Sequence, residues 1–534
     1  MVVGRERDQP RRNQKWPRRV RSDEDLVELH PETTMKRLIH FSIVGLSLIT
    51  WKATHAQTST RVDSVLHAIR VEAIEKSDVY SLAQPLIDSI GARLTGSADL
   101  QHADDWLAAV YRGWGILVRT EQYGTARAWR RGTIHIDLTA PRVRSLEGML
   151  MAFSAGTRKP VQGPVIIYPN VSSGSEFEAW LPQVRGKFLA LSLAEPTCRP
   201  DENWQKFAPE SFEKMRDERT AALRAWSASL HASGLGGEAL PLRLGEAGAL
   251  GLLVSLRPSL TASPGWGTSK IGTASTDKVP EVGLSCEDYG LVRRLAERNQ
   301  GPVIRLDAPA RFEGEVPVFN VIAELRGSEK PDEYVLLSAH LDSWDAASGA
   351  TDNGSGTLLM MEAMRILKAV YPHPRRTILA VHWGGEEQGL NGSRAFASQH
   401  SDIVNGLQAL FNQDNGTGRI VSISMSGFAG AGAFFRRWLA AMPGELTREI
   451  TLDDPGQVEG GTDNAAFTCH GAPAFNLESL KWDYETYTWH TNRDTFDKLV
   501  FDDLKKNAEL LAMLAYFASE DSQRVPHLAL QNCK

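Results

Sequence analysis

The chain has 534 residues, 42% of them hydrophobic and 23% charged, with a formal charge of −6. This is ordinary globular composition in a chain too long for one core, so two or three domains are expected. The weakly acidic balance excludes a nucleic-acid-binding footprint, and Cys198, Cys286, Cys469 and Cys533 lack the C-x-x-C spacing of a thiolate metal site.

Residues 1–34 are polar, Arg-rich and without apolar periodicity, and are read as a non-native or disordered leader. A basic nucleic-acid-binding or twin-arginine arm is the alternative, but Arg11-Arg12 and Arg18-Arg19 are not followed directly by an apolar core. Translation is read as starting at Met35. Met35-Lys36-Arg37, the apolar run Leu38 to Trp51 and the small-x-small site ending at Ala56 make 35–56 a signal peptide. The apolar run is shorter than the roughly 20 residues that span a bilayer. A secreted or periplasmic protein beginning at Gln57 is therefore expected, with no stable membrane span. Its 48 basic and 58 acidic residues leave a net charge near −10.

Apolar spacing through Val62, Val65, Leu66 and Ile69, then Leu82, Leu86 and Ile90, predicts helices over 57–120. Residues 57–130 are assigned to the N-terminal part of a catalytic domain. From 131 to 310 the pattern turns to short strands around 163–168, 186–192, 248–255 and 279–284, with helices over 210–232 and 287–298. This β-rich stretch is read as an insert. Strand–helix alternation fills 311–534, with strands at 335–338 and 377–381 and helices at 357–370 and 504–519. The expected fold is α/β, a mixed, mostly parallel sheet flanked by helices.

The chemistry concentrates at strand ends, where open α/β sheets place their ligand sites. The strand at 335–338 delivers His340 and Asp342, and Asp352 opens an Asn-Gly-Ser-Gly turn into a helix. Glu386-Glu387, Asp414 in FNQDNG and His490 in YTWHTNRDT answer from later loops. Imidazoles and carboxylates in this mixture suit two zinc ions bridged by one carboxylate. His340 is read as a neutral ligand and Asp352 as the bridge. Asp342, two residues along an extended strand, is predicted to accept the other ring N–H of His340 and fix its tautomer. One glutamate of the pair is left as a general base. His373, His382, His400 and His470 are read as structural or surface residues, with His470 the rival for the last ligand position.

The ordered set SAHLDSWD, GATDNGSG, GGEEQGLNGS, NQDNG and WHTNRDT resembles the co-catalytic zinc exopeptidases, which include leucyl aminopeptidases and glutamate carboxypeptidases. Within them it is most similar to the carboxypeptidase Q branch and its bacterial relatives. The likeness continues upstream through IDSIGARLTGS (87–97) and WRRG (129–132), and 131–310 resembles the protease-associated insert of that family. It implies one zinc on His340, Asp352 and Asp414, a second on Asp352, Glu387 and His490, and Glu386 as general base. It also implies a cis bond after Asp352 and a substrate-lining loop at GTDNAAF (461–467), with Asp463 ordering that loop. The expected activity is hydrolysis of dipeptides or short peptides. Alternatives are a leucyl-type aminopeptidase, a glutaminyl cyclase with one zinc, and a non-catalytic receptor-like module. A homodimer is compatible with the resemblance. The aminopeptidases carry a Tyr just before the last His, where this chain has Trp489; Tyr484 and Tyr487 are the nearby phenols. Arg493 is the candidate for binding a substrate carboxylate.

Overall fold

The computed structural model describes residues 62–256, 266–453 and 461–529; the leader and signal segment expected over 1–56 lie outside them. Among the described residues two eight-stranded sheets form. The first contains β1 (Leu117–Arg131), β2 (Ala310–Leu325), β3 (Lys330–His340), β4 (Arg376–Trp383), β5 (Leu407–Asn412), β6 (Ile420–Ser424), β7 (Thr451–Leu452) and β8 (Ala474–Ser479), in the order β1-β2-β4-β3-β5-β8-β6-β7. Its centre, β4-β3-β5-β8, is parallel, whereas β1 and β2 run antiparallel to their neighbours and β6 runs antiparallel to β8 but parallel to β7.

The parallel centre follows from composition. Every residue of β4 and β5 is buried, as are Val335 to His340 of β3. Strands covered on both faces read as continuous apolar runs, and helices supply that cover. One layer comes from α1 (Ala98–Gly113), α2 (Ser355–Val370) and α3 (Phe501–Glu520), with α3 buried over nearly its whole length. A helix apolar all round is a core helix, and Leu510, Leu511, Met513 and Leu514 pack in one cluster with Leu358, Met361 and Val335.

β1 and β2 were not anticipated as partners, because 57–120 reads as helical. They pair from Leu117↔Glu324 to Arg131↔Ala310. The second sheet lies between those last partners in sequence, from strand His135–Ala140 to strand Val303–Asp307. It has its own apolar cluster around Phe188, Leu252, Val282 and Ile304. A disulfide joins Cys198 to Cys286, and Cys469 is also disulfide-bonded. No helix of the described residues is long and apolar enough to cross a membrane.

Candidate metal centre

β3 ends at His340, β4 is followed by the Gly384-Gly385-Glu386-Glu387 turn, and β5 is followed by Asp414. Parallel register places these three ends side by side, with His340 opposite Trp383 and Ser338 opposite Asn412. The turn after β4 needs its glycines. A Cβ on Gly385 would fall 2.7 Å from the Tyr123 hydroxyl, and the backbone there has φ of +69°. His490 arrives from the far loop, in the left-handed region at φ 57°, a conformation uncommon for non-glycine residues.

The structure gathers six of the seven candidates into two groups of donor atoms, His340, Glu386 and Asp414, and Asp352, Glu387 and His490. His340 Nε2 lies 3.0 Å from Asp414 Oδ1 and 3.4 Å from Asp352 Oδ1. His490 Nε2 lies 3.1 Å from Asp352 Oδ2 and 3.0 Å from Glu387 Oε2. Asp352 thus touches both histidines, one with each oxygen. The Asp352–Asn353 bond is cis. His470 belongs to neither group.

The residues fit a pair of cations. Two donors held about 2.0–2.1 Å from one tetrahedral zinc stand roughly 3.3 Å apart, close to the separations found here. Asp352 Oδ2 and Glu387 Oε1 are buried with no hydrogen-bond donor in place. Buried carboxylate oxygens ordinarily have partners, so these point toward an ion. Electrostatics agree. Burial, with neighbouring carboxylates, pushes Glu386 well above the usual range and Glu387 up to about 7. Burial opposes protonation of His490, but Glu387 and Asp352 carry it up to about 9. Negative charge this concentrated calls for positive charge at its centre.

Asp342 differs from the expectation. His340 Nδ1 sits 2.9 Å from the backbone carbonyl of Asp342 and 3.7 Å from its carboxylate, so the carbonyl takes the ring N–H and leaves Nε2 for a cation. The strand stops at His340, and the two-residue alternation behind the prediction no longer applies beyond it. The Asp342 carboxylate instead accepts from the backbone N–H of Glu386 (3.1 Å), that of Glu387 (3.3 Å) and Thr95 Oγ1 (3.0 Å). It pins the glutamate turn.

Two supports were not identified from sequence. Asp494 Oδ1 accepts from Thr351 N and Oγ1 (2.7 and 2.8 Å) and Oδ2 from Asp352 N (3.0 Å), which orients the shared carboxylate. Its place four residues after His490 was the available signal. Arg93, fully buried, donates to the carbonyls of Leu341, Gly91, Ser348 and Gly349 and so holds both ends of the loop leading to Asp352. It lies in IDSIGARLTGS, a stretch noted only for its likeness. Arg493 is engaged elsewhere, by Glu147 and the Gly267 carbonyl. Of the two phenols, Tyr484 is the one the site's carboxylates act on. Burial first, then Asp352, Asp414 and Glu387, raise its pKa. Asp463 is fully buried, and after burial its pKa responds to His340 and Asp414.

Comparison with known proteins agrees with this geometry. Residues 320–515 match the profile of peptidase family M28. Carboxypeptidase Q of Rattus norvegicus is 25% identical over 445 residues, 83% of this chain and 85% of that protein. Leucine aminopeptidase 1 of Coccidioides posadasii is 31% identical over 229 residues, 39% of this chain and 57% of that protein. The fold matches a peptidase M28 precursor from Shewanella amazonensis with a TM-score of 0.67 at 23% identity, covering 89% of this chain and 100% of that one. It also matches a zinc aminopeptidase from Bacillus subtilis with a TM-score of 0.52 at 19% identity, covering 83% and 95%. The segment that matches peptidase family M28 carries β3, β4, β5 and both donor groups, so the likeness to that family falls on the part of the chain that builds the candidate metal centre.

Proposed function

We propose that this protein is an exported di-zinc exopeptidase acting on dipeptides or short peptides. His340, Asp352 and Asp414 hold one ion and Asp352, Glu387 and His490 the other. Residues 131–310 form a protease-associated-like insert beside the catalytic domain of 57–130 and 311–534. The observation that carries the reading is Asp352, which meets one histidine with each carboxylate oxygen. The Cys198–Cys286 disulfide supports an oxidising destination.

When bound, the ions supply Lewis acidity to a scissile carbonyl and acidify water. Glu386 takes the proton of the attacking water and returns it to the leaving amine. Asp342 keeps Glu386 and Glu387 in place through their backbone N–H groups, and Asp494 does the same for Asp352.

Glu386→Gln in protein starting at Gln57 tests the assignment. Elemental analysis should find two zincs still bound while chelator-sensitive dipeptide cleavage is lost. Loss of a zinc would make Glu386 a ligand, and retained turnover would remove it as the base.

A further inference from the structure

His340, Asp352, Glu387 and Asp414 are braced by elements around the first sheet. In the first turn of α2, Thr357 Oγ1 donates to His340 O (3.0 Å) and Ser355 Oγ to Gly416 O (3.0 Å), just beyond Asp414. Asn353 Nδ2 donates to the carbonyl of Gln413 (2.8 Å), just before Asp414. Asp342 holds the backbone of Glu387, and Asp494 that of Asp352. His490 is placed differently. It lies in the loop after β8, in the left-handed region at φ 57°. Such a conformation persists when the surroundings over-determine it.

Those surroundings come from the stretch 131–310. Ile271 N donates to His490 O (2.8 Å), Ser269 N to Asn492 Oδ1 (2.7 Å) and Asn492 N to Ser269 O (3.1 Å), so residues 269–271 run antiparallel to 490–492. Asn492 Nδ2 donates to Glu147 Oε1 (2.9 Å), which engages both ends of its amide. Arg493 pairs with the same carboxylate, and its Nε donates to Gly267 O (2.9 Å). This seam is rooted in the second sheet. Ser269 Oγ donates to Gly283 O (2.8 Å) in the strand Glu281–Leu284, and Glu147 O accepts from Ser285 N (2.9 Å).

Resting on the di-zinc exopeptidase reading, we infer that Asn492 is a positioning residue through which Ser269 and Glu147 hold His490 in place, so that the insert completes the second donor group. An imidazole binds a metal along one ring direction, and the groups that fix this direction govern affinity nearly as much as the ligand does. Ser269 and Asn492 are 223 residues apart, so their contact exists only when the insert is docked on the loop after β8. The first donor group has its braces in α2 and needs no such docking. Insert docking therefore governs one ion and not the other.

The test is zinc occupancy, read by elemental analysis in chelator-buffered titrations of protein starting at Gln57. It compares wild type, Asn492→Ala, Glu147→Ala, His490→Ala and the double variant of Asn492→Ala with His490→Ala. Wild type alone tests the di-zinc reading: saturation at one ion would end that reading and this inference with it. With two ions bound, Asn492→Ala should weaken one of them about 10- to 100-fold and leave the other at its wild-type affinity. Glu147→Ala, at a partly exposed position, should shift the same ion by less. In the double variant Asn492→Ala should add nothing to His490→Ala, because it acts through that histidine. Equal weakening of both ions, unchanged occupancy, or a further loss in the double variant would each overturn the inference while the wild-type result keeps the di-zinc reading standing. If Asn492→Ala does not fold, Glu147→Ala decides, and two unshifted ions there would overturn it.

Discussion

Asp494→Asn isolates how firmly the shared carboxylate must be held. Three hydrogen bonds converge on Asp494, two from Thr351 on Oδ1 and one from Asp352 N on Oδ2. Asparagine keeps an oxygen for the Thr351 pair but turns an amide N–H2 against the Asp352 N–H, placing donor against donor. Asp494 is 3% exposed, so solvent does not replace the missing bond. Loss of one hydrogen bond to a charged group costs about 1.5–3 kcal/mol. At about 1.4 kcal/mol per tenfold, that is roughly 10- to 100-fold in zinc affinity, the range seen when a metal ligand's outer partner is removed. Because Asp352 meets both histidines, both ions should loosen together. Chelator-buffered zinc titration, with bound metal and dipeptide cleavage read in parallel, measures this. Thr351→Val removes the hydroxyl's bonds to Asp494 and Thr488 but keeps the Thr351 N–H bond to Asp494, and the lost Asp494 contact should cost about 1 kcal/mol, less than tenfold. An Asp494→Asn protein that binds both ions and cleaves at the parent level would refute the claim that Asp494 orients Asp352.

Two stability predictions follow from groups outside the centre. His382 is buried with Nε2 2.8 Å from the Tyr111 hydroxyl, and burial pushes its imidazole down to about 3. The unfolded chain binds that proton near pH 6.5, so the contribution to stability is full above about pH 6.5 and lost as pH falls toward 3, at up to about 1.4 kcal/mol per unit. His382→Gln should flatten the acid limb in urea unfolding between about pH 4 and 7, and an unchanged limb would contradict the argument. The Cys198–Cys286 bond closes a separation of 88 residues. Converting both to serine should cost about 4–5 kcal/mol by chain entropy, read as an earlier unfolding transition that reductant shifts less than the parent's, because only the disulfide at Cys469 remains to be reduced.

What could be read from the residues alone was whatever depends on local pattern. Buried parallel strands announce themselves as apolar runs, so 335–338 and 377–381 were placed within the observed strands. Ligand sites follow strand ends, so His340, Glu386, Glu387 and Asp414 could be named from the loops after those runs. The helix expected over 504–519 lies within the observed Phe501–Glu520. The sequence by itself thus determined the central strands β3 and β4 with the helices that cover them, and the candidate donor set. Tertiary structure decided what each donor meets. Asp342 looked like a partner for a ring N–H because two-residue spacing assumes a strand that in fact ends at His340. Arg93 bonds the Leu341 carbonyl across 248 residues, and Ser269 bonds Asn492 across 223. Such contacts leave no periodicity in a chain, because they exist only once two sheets have folded and brought their loops together.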